Sequence, residues 1–472
     1  MTGLKHRATR PAAMLLLALT TACTGPVANQ AFDDVAKTAE LKIGQRPAWI
    51  KNEEDERSVR ETLDTLLAKP LTADDAVRVA LLNNRRLQAS FAELGVGAAD
   101  LTASWRPSNP GVSFSRLRRG DETEIGRSIT VDAFSLLLLP LTASIEDRRF
   151  EQTKLRTATE ILALAARTKK AWYEAVAAEQ TARYIGQIRE AAETQAELAR
   201  RMKQVGNTSA LAYLREQLFY ADAMARLSKS QVTAVAARER LTRLMGLWGK
   251  DTAFRLPDLL PEIPSTPRMV KDIEAKAIAE RLDVQMARAG LEGTRKAYNL
   301  TNITRFINVL EVGYERNSET GKPDQKGYEV SLEIPIFDFG DAKASRAEYT
   351  YMQAVNSLAD TAVQARSVAR ETYLSYRAAY DLSRHFQTEI IPLRQKVSEE
   401  MVLRYNGMLL STFELLADAR DQIADISAAL EAQRDFWIAD TDLTFVTIAP
   451  VESGGMTAAS GLLSARPAVA AH

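Results

Sequence analysis

Three histidines and one cysteine in 472 residues leave little with which to hold a metal or run nucleophilic chemistry. His6, His385 and His472 stand far apart, and no Cys, His and carboxylate set has metal-ligand spacing. Gly95 and Gly97 lie in an Ala-rich helical context rather than after a strand, which gives no nucleotide loop. Met202, Met401 and Met408 read as packing or contact residues. No enzyme, cofactor or metal site is expected. A lone cysteine, Cys23, excludes a disulfide within the chain. Long apolar runs are also missing: beyond the first residues none reaches the roughly 20 that a membrane helix needs, and Leu136 to Leu141 is far too short. Any membrane passage must be made by strands. Neither charge sign dominates, with 61 basic and 61 acidic residues, which argues against nucleic acid as a partner.

The first residues do carry a signal. Lys5, His6, Arg7 and Arg10 precede the apolar run Ala12 to Ala22, the pattern of a secretory signal over residues 1–22. Leu19-Thr20-Thr21-Ala22-Cys23 resembles a lipobox, with Thr20 where an aliphatic residue is usual. Cys23 is therefore the candidate lipidation site, and ordinary cleavage near Ala22 is the alternative. Residues 23–70 are polar without a clean period and read as an extended, lipidated leader.

The body is written twice. Arg86-Leu87 recurs as Arg281-Leu282, Gly95 as Gly290 and Leu139-Pro140-Leu141 as Ile334-Pro335-Ile336, all 195 residues on; Tyr173 recurs as Tyr373 and Gly206 as Gly407 at slightly larger offsets. Residues 71–256 form repeat 1, residues 257–267 with their prolines a linker, and residues 268–448 repeat 2. The Gly-, Ala- and Ser-rich tail 449–472 reads as disordered.

Each repeat opens with a helix, near Thr72 with Asp74 and Asp75 in the first copy and ending near Leu300 in the second. Two strands follow. Ser128 to Ala133 and Tyr328 to Ile334 alternate polar and apolar residues; Val112 to Ser115 and Ile307 to Tyr314 alternate less cleanly. No proline interrupts Thr142 to Leu256, so a helix from Thr142 to Val205 would run roughly 95 Å. It turns at Gly206-Asn207-Thr208-Ser209 and returns to about Gly246. The second copy runs from about Ala342, with a kink at Pro392 and a turn at Asn406-Gly407, and returns to about Phe445.

The expected fold class is mainly α with a small membrane β-part. Four strands cannot close a barrel, whereas three chains would supply a trimeric 12-stranded β-barrel continued by a long α-helical coiled-coil barrel. Ile129, Val131, Val330, Leu332 and Ile334 would then face lipid. Ser128, Thr130, Asp132, Glu329, Ser331 and Glu333 would line an aqueous lumen. A soluble sheet with one wet face competes on the strands alone; the long helices favour the barrel.

Several segments together resemble the TolC family of outer-membrane efflux channels, over about residues 71 to 448. They are Asn83-Asn84-Arg85-Arg86-Leu87, Pro335-Ile336-Phe337-Asp338-Phe339-Gly340, and Tyr405-Asn406-Gly407 with Ser411-Thr412-Phe413-Glu414-Leu415-Leu416. The resemblance implies a homotrimer in outer-membrane lipid with a periplasmic helical tunnel. The tunnel tip would dock on a periplasmic adaptor, or membrane fusion protein, coupled to an inner-membrane pump of the resistance-nodulation-division type. Val205, Gly206, Asn207, Asn406, Gly407 and Met408 are then the adaptor-contact tips. Glu414, Asp418 and Asp421 match the acidic region that shuts the resting channel, although Ala417 stands where an acid often follows. Solvated coiled-coil charges remain the other reading of these acids. Arg240 to Gly246 leans toward the heavy-metal branch, with drugs or solvents as alternative cargo. Type I protein secretion and a non-spanning periplasmic lipoprotein scaffold are the rival functions.

Overall fold

A computed structural model describes Thr24 to Val451, apart from residues 307–308, 334–338 and 411. The signal, Cys23, Ile334 and residues 452–472 of the tail lie outside the described residues, as does the segment Pro335 to Asp338. Among the described residues no helix is long and apolar enough to cross a membrane.

The expected extended leader is instead two helices, α1 (Thr24–Ile43) and α2 (Glu53–Leu67). Asn52 caps α2 by accepting from the Glu54 and Asp55 amides, and four acids fill its first turn, where they meet the positive end of the helix dipole. Val59, Leu63 and Leu66 recur at helical spacing and are buried. Arg60 anchors the outer face through Asp64 and Asp251. In α1, Phe32 meets Phe91 edge to face at 5.0 Å.

Thr72 begins the next helix as expected, in a capping box with Asp75. The expected single helix is however two, α3 (Ala73–Asn83) and α4 (Arg85–Ser104), broken at Asn84. The second copy shows the same break, between α7 (Ile273–Glu280) and α8 (Leu282–Thr304), at Arg281. Asn84 and Arg281 thus correspond, and the sequence offset that pairs Arg86 with Arg281 is two residues out of step. Polar side chains at both breaks explain them. Asn84 Oδ1 accepts from the Leu87 amide at 3.1 Å, and its Nδ2 donates to the Leu244 carbonyl at 2.8 Å. Arg281, 3 % exposed, reaches the Val446 carbonyl at 3.5 Å.

The strands are β1 (Gly111–Arg119), β2 (Glu122–Asp132), β3 (Leu310–Glu319) and β4 (Gln325–Leu332). They form one antiparallel sheet in the order β1-β2-β3-β4, with β1 and β4 at open edges. The helix expected from Thr142 begins nine residues earlier and takes in the run Leu136 to Leu141. Helix α5 (Ala133–Gln204) begins directly after Asp132, with Pro140 inside its third turn. Asp132 starts it as an N-cap does, accepting from the Ser135 amide at 2.9 Å. Thr142 and Ser144 hydroxyls donate to the carbonyls of Leu138, Leu139 and Leu141 around the proline. At 72 residues, α5 is roughly 110 Å long.

Helix α6 (Ala210–Met245) returns from the first tip; α9 (Asp341–His385), α10 (Ile391–Asn406) and α11 (Thr412–Phe445) build the second hairpin. The expected kink at Pro392 takes the form of a π-helical turn over Phe386–Ile390. A wider turn just before a residue without an amide hydrogen relieves the clash of its ring with the preceding turn.

By internal contacts the chain divides into two units. One holds Ala89–Ala158, Leu282–Val363 and the described part of Met1–Thr38; the other holds Ala39–Gln88, Thr159–Arg281 and the described part of Gln364–His472. The second unit has an aromatic centre, where Tyr376 and Tyr380 both pack on Phe436 and Trp437 stacks on Tyr173. Their polar ends hold the Pro-rich linker. The Tyr376 hydroxyl accepts from the Arg268 amide, the Tyr380 hydroxyl donates to the Ser265 carbonyl, and the Trp437 indole donates to the Pro261 carbonyl, at 2.7–2.9 Å.

Candidate functional site

The sheet has two chemically opposite faces. Strand residues alternate sides, so the pairing register assigns each one. Gly111, Thr130, Gly313 and Glu329 share a row, as do Ser113, Ser128, Glu315 and Gly327, and Asp132, Glu311 and Ser331. Glu124 and Glu319 pair on the same face, which is small, polar and acidic except toward the turn, where β1 adds Leu117 and Arg119. The Ser113 and Ser128 hydroxyls lie 2.8 Å apart there. The other face carries Leu310 opposite Leu332, then Val131, Val312 and Val330, then Val112, Ile129, Tyr314 and Tyr328. The Tyr314 and Tyr328 rings are 5.7 Å apart. All of β1 and all of β4 are exposed, although both carry large apolar side chains.

The residues expected at the lumen share one face. Ser128, Thr130 and Asp132 of β2 join Glu329 and Ser331 of β4 through β3, and Glu333 follows β4 with its amide donating to the Val309 carbonyl at 3.3 Å. Asp132 has a second job as the cap of α5. Glu311 and Glu315 belong to the same face and escaped the sequence reading, because Gly313 interrupts the alternation of β3.

At the first tip, α5 ends in a Schellman motif. The Asn207 amide donates to the Met202 carbonyl at 2.8 Å and the Gly206 amide to that of Lys203 at 3.2 Å, with Gly206 left-handed at φ 78°. Ser209 then caps α6. The second tip repeats the motif one residue later than the glycine. Leu409 donates to Arg404 and Met408 to Tyr405, both at 2.9 Å, and Met408 takes the left-handed position at φ 59°. Gly407 has φ −78°. The expected pairing of Gly206 with Gly407 is corrected: Gly206 corresponds to Met408, and Val205 to Gly407. Asn406 closes α10. Val205, Met408 and Leu409 are 75 %, 94 % and 76 % exposed, so both tips end in apolar side chains that stand open among the described residues.

The acids past the second tip part company. Asp418, Asp421 and Asp425 lie on one side of α11 and converge on Arg394 of α10. Arg394 donates from Nε to Asp425 at 2.6 Å and from Nη1 to Asp418 at 3.2 Å, with Asp421 at 3.9 Å. Ser398 donates to the second Asp418 oxygen at 2.7 Å. Burial works against the Arg394 charge, but the hydrogen bond to Asp425 and the charges of Asp425, Asp421 and Asp418 outweigh it and raise its pKa. Asp418 is therefore buried and engaged within the hairpin. Asp421 and Glu414 remain exposed. Sequence reading missed Arg394, whose position 24 residues before Asp418 carries no local signal.

Neither a protein-family profile nor a curated protein matches the sequence. Solved structures do. CusC, studied for the conformational changes accompanying folding and transmembrane channel formation, superposes with a TM-score of 0.66 at 15 % identity, covering 80 % of this chain and 92 % of its own. The Campylobacter jejuni outer-membrane channel CmeC gives 0.70 at 14 %, covering 88 % and 91 %. The Vibrio cholerae outer-membrane protein VceC gives 0.68 at 13 %, covering 80 % and 97 %. The chain has the fold of outer-membrane channels.

Within the channel fold, Asn83-Asn84 has a structural reason to be there. Asn83 Nδ2 donates to the carbonyls of Met245 and Gly246 at 3.2 and 2.8 Å, so the two asparagines dock α3 on the end of α6. A Cβ on Gly246 would fall 2.8 Å from the Asn83 carbonyl oxygen, and φ is 67° there. The two motifs Asn83-Asn84 and Arg240 to Gly246 are thus halves of one contact. Among the described residues no group of three or more His, Cys, Asp or Glu side chains could hold a metal ion.

Proposed function

We propose that this chain is the outer-membrane channel component of a tripartite efflux system, a passive homotrimeric exit duct for small solutes. The observation that carries the reading is the sheet. It has an apolar, Tyr-bearing face, an acidic face and two unpaired edges. An apolar sheet face without a partner is unstable in water, and open edges are unsatisfied in lipid. Three copies joined edge to edge, β4 to β1, meet both demands as a 12-stranded barrel, with Ser128, Thr130, Asp132, Glu329, Ser331 and Glu333 on the lumen side.

The apolar tips at Val205, Gly206 and Asn207 and at Asn406, Gly407 and Met408 are the surfaces for a periplasmic adaptor, which couples the duct to an inner-membrane pump of the resistance-nodulation-division type. Cys23 is the site of the lipid anchor. Acidic rows in the lumen lower the barrier to cations, which favours metal ions among the cargoes. No catalytic step is assigned to the chain.

The test is purification of the full chain in mild detergent. Heat-resistant trimers and ion conductance in planar bilayers are expected. Soluble monomers after Cys23→Ala, with no conductance, would sink the duct and leave a periplasmic scaffold.

A further inference from the structure

We propose that the apolar face of the sheet carries, at its loop end, a binding site for the phosphate groups of anionic lipid headgroups in the adjoining leaflet. The proposal rests on the membrane reading above.

Following the strands along that face, the register gives a fixed order. The valine row is followed by the row of Val112, Ile129, Tyr314 and Tyr328, and the next row is Phe114, Arg127, Arg316 and Lys326. Arg116 follows beside Ile125, and Arg118 beside Thr123. The step from tyrosines to cations is two residues, roughly 7 Å of strand. Apolar, aromatic and cationic levels in succession match the hydrocarbon, interface and headgroup of a bilayer.

Charge sorting points the same way. The strands place five basic residues on this face, Arg116, Arg118, Arg127, Arg316 and Lys326, and no acid. Acids at the same level, Glu122, Glu124, Glu315 and Glu319, sit on the opposite face, where Arg119 is the one cation the strands supply. A rim that merely meets water mixes its signs. Asp324, just before β4, pairs with Arg316 at 3.0 Å and orients that guanidinium, leaving the face with a net positive charge. Arg127 is exposed between Phe114 and Arg316, with Lys326 beyond. Guanidinium forks match phosphate oxygens, while their stems and the neighbouring aromatic rings match the start of the acyl chains.

The experiment uses the full-length trimer in neutral detergent, with native mass spectrometry counting bound lipid. Its probes are diphosphorylated lipid A, phosphatidylcholine and inorganic phosphate. Wild type should retain diphosphorylated lipid A at least tenfold more tightly than the R116S/R127S/K326S variant. Phosphatidylcholine should bind both equally weakly, and millimolar inorganic phosphate should not displace the lipid. The charge-keeping R116K/R127K variant should retain most of the affinity. Equal retention by wild type and the triple serine variant overturns the proposal, as does displacement by inorganic phosphate, which would mark a free-anion site. Bilayer conductance of both proteins is the control. If both conduct and retention is equal, the lipid site fails alone; if wild type neither conducts nor forms trimers, the channel reading fails and takes the site with it.

Discussion

Gly206 and Met408 hold the same left-handed position in the two hairpin tips, at φ 78° and 59°. A residue with a Cβ is strained there by roughly 1–2 kcal/mol. Met408→Gly should therefore stabilise the second tip by roughly 0.5–1 kcal/mol after the entropy cost of glycine. Gly206→Val should destabilise the first by more. Gly407→Ala should be near neutral, since its Cβ would make only ordinary contacts at 3.5 Å. Hydrogen exchange at the Asn207 and Leu409 amides, which close the two motifs, reads each effect. Equal damage from Gly206→Val and Gly407→Val would refute the correspondence.

The Arg394 cluster predicts an asymmetric response. Arg394→Ala leaves Asp418 buried without its counter-ion and should cost roughly 3 kcal/mol of hairpin stability, whereas Asp421→Asn, at an exposed and distant oxygen, should cost less than about 0.5 kcal/mol. Thermal unfolding of the trimer measures both. A harmless Arg394→Ala would mean that the cluster is a solvated surface network.

Glu216 gives a pH dependence. It is half-buried on α6 with one carboxylate oxygen unpartnered; burial raises its pKa, and the charge of Arg420 only partly opposes this. A carboxyl group whose pKa is raised on folding binds its proton more tightly in the folded state. Its stabilising contribution is full below the ordinary carboxylate range and is lost as pH rises through the raised value. Glu216→Gln should therefore unfold at a higher temperature than wild type at pH 7.5, with the gap closing near pH 4. Solvent reaching the group limits the effect to about 1 kcal/mol or less. A gap that widens on acidification would contradict the sign.

In the lumen reading, Glu315→Gln with Glu329→Gln removes two charges from one face of each chain. Cation-over-anion selectivity, read as the reversal potential across a salt gradient, should fall while trimers persist. Unchanged selectivity would place these rows away from the conducting path.

What the sequence made legible follows from locality. The cap at Thr72, the alternation of β2 and β4, the turn before Ser209 and the stop at Gly246 all depend on residues within a few positions, and each lies where expected. Helix α2 carried equally local signs, Asn52 before four acids and Val59, Leu63 and Leu66 in step, but its polar composition masked them. The start of α5 was misread because four consecutive leucines before a proline suit a strand as well as a helix; the Asp132 cap decides. At the site, the polar face of β2 and β4 could be read from period two, whereas Glu311, Glu315 and Arg394 enter only through pairing across distant strands or helices.

The seam between β2 and β3 joins residues nearly two hundred positions apart, as in the bond from the Thr123 amide to the Thr320 hydroxyl at 3.0 Å. Closing a loop of that length costs roughly 4 kcal/mol more than closing the two-residue turn between β1 and β2. The first hairpin is therefore expected to form before the seam, with the outer edges of both β1 and β2 bare until the second half of the polypeptide pairs with β2. Assembly becomes vulnerable in that interval to mispairing with other copies.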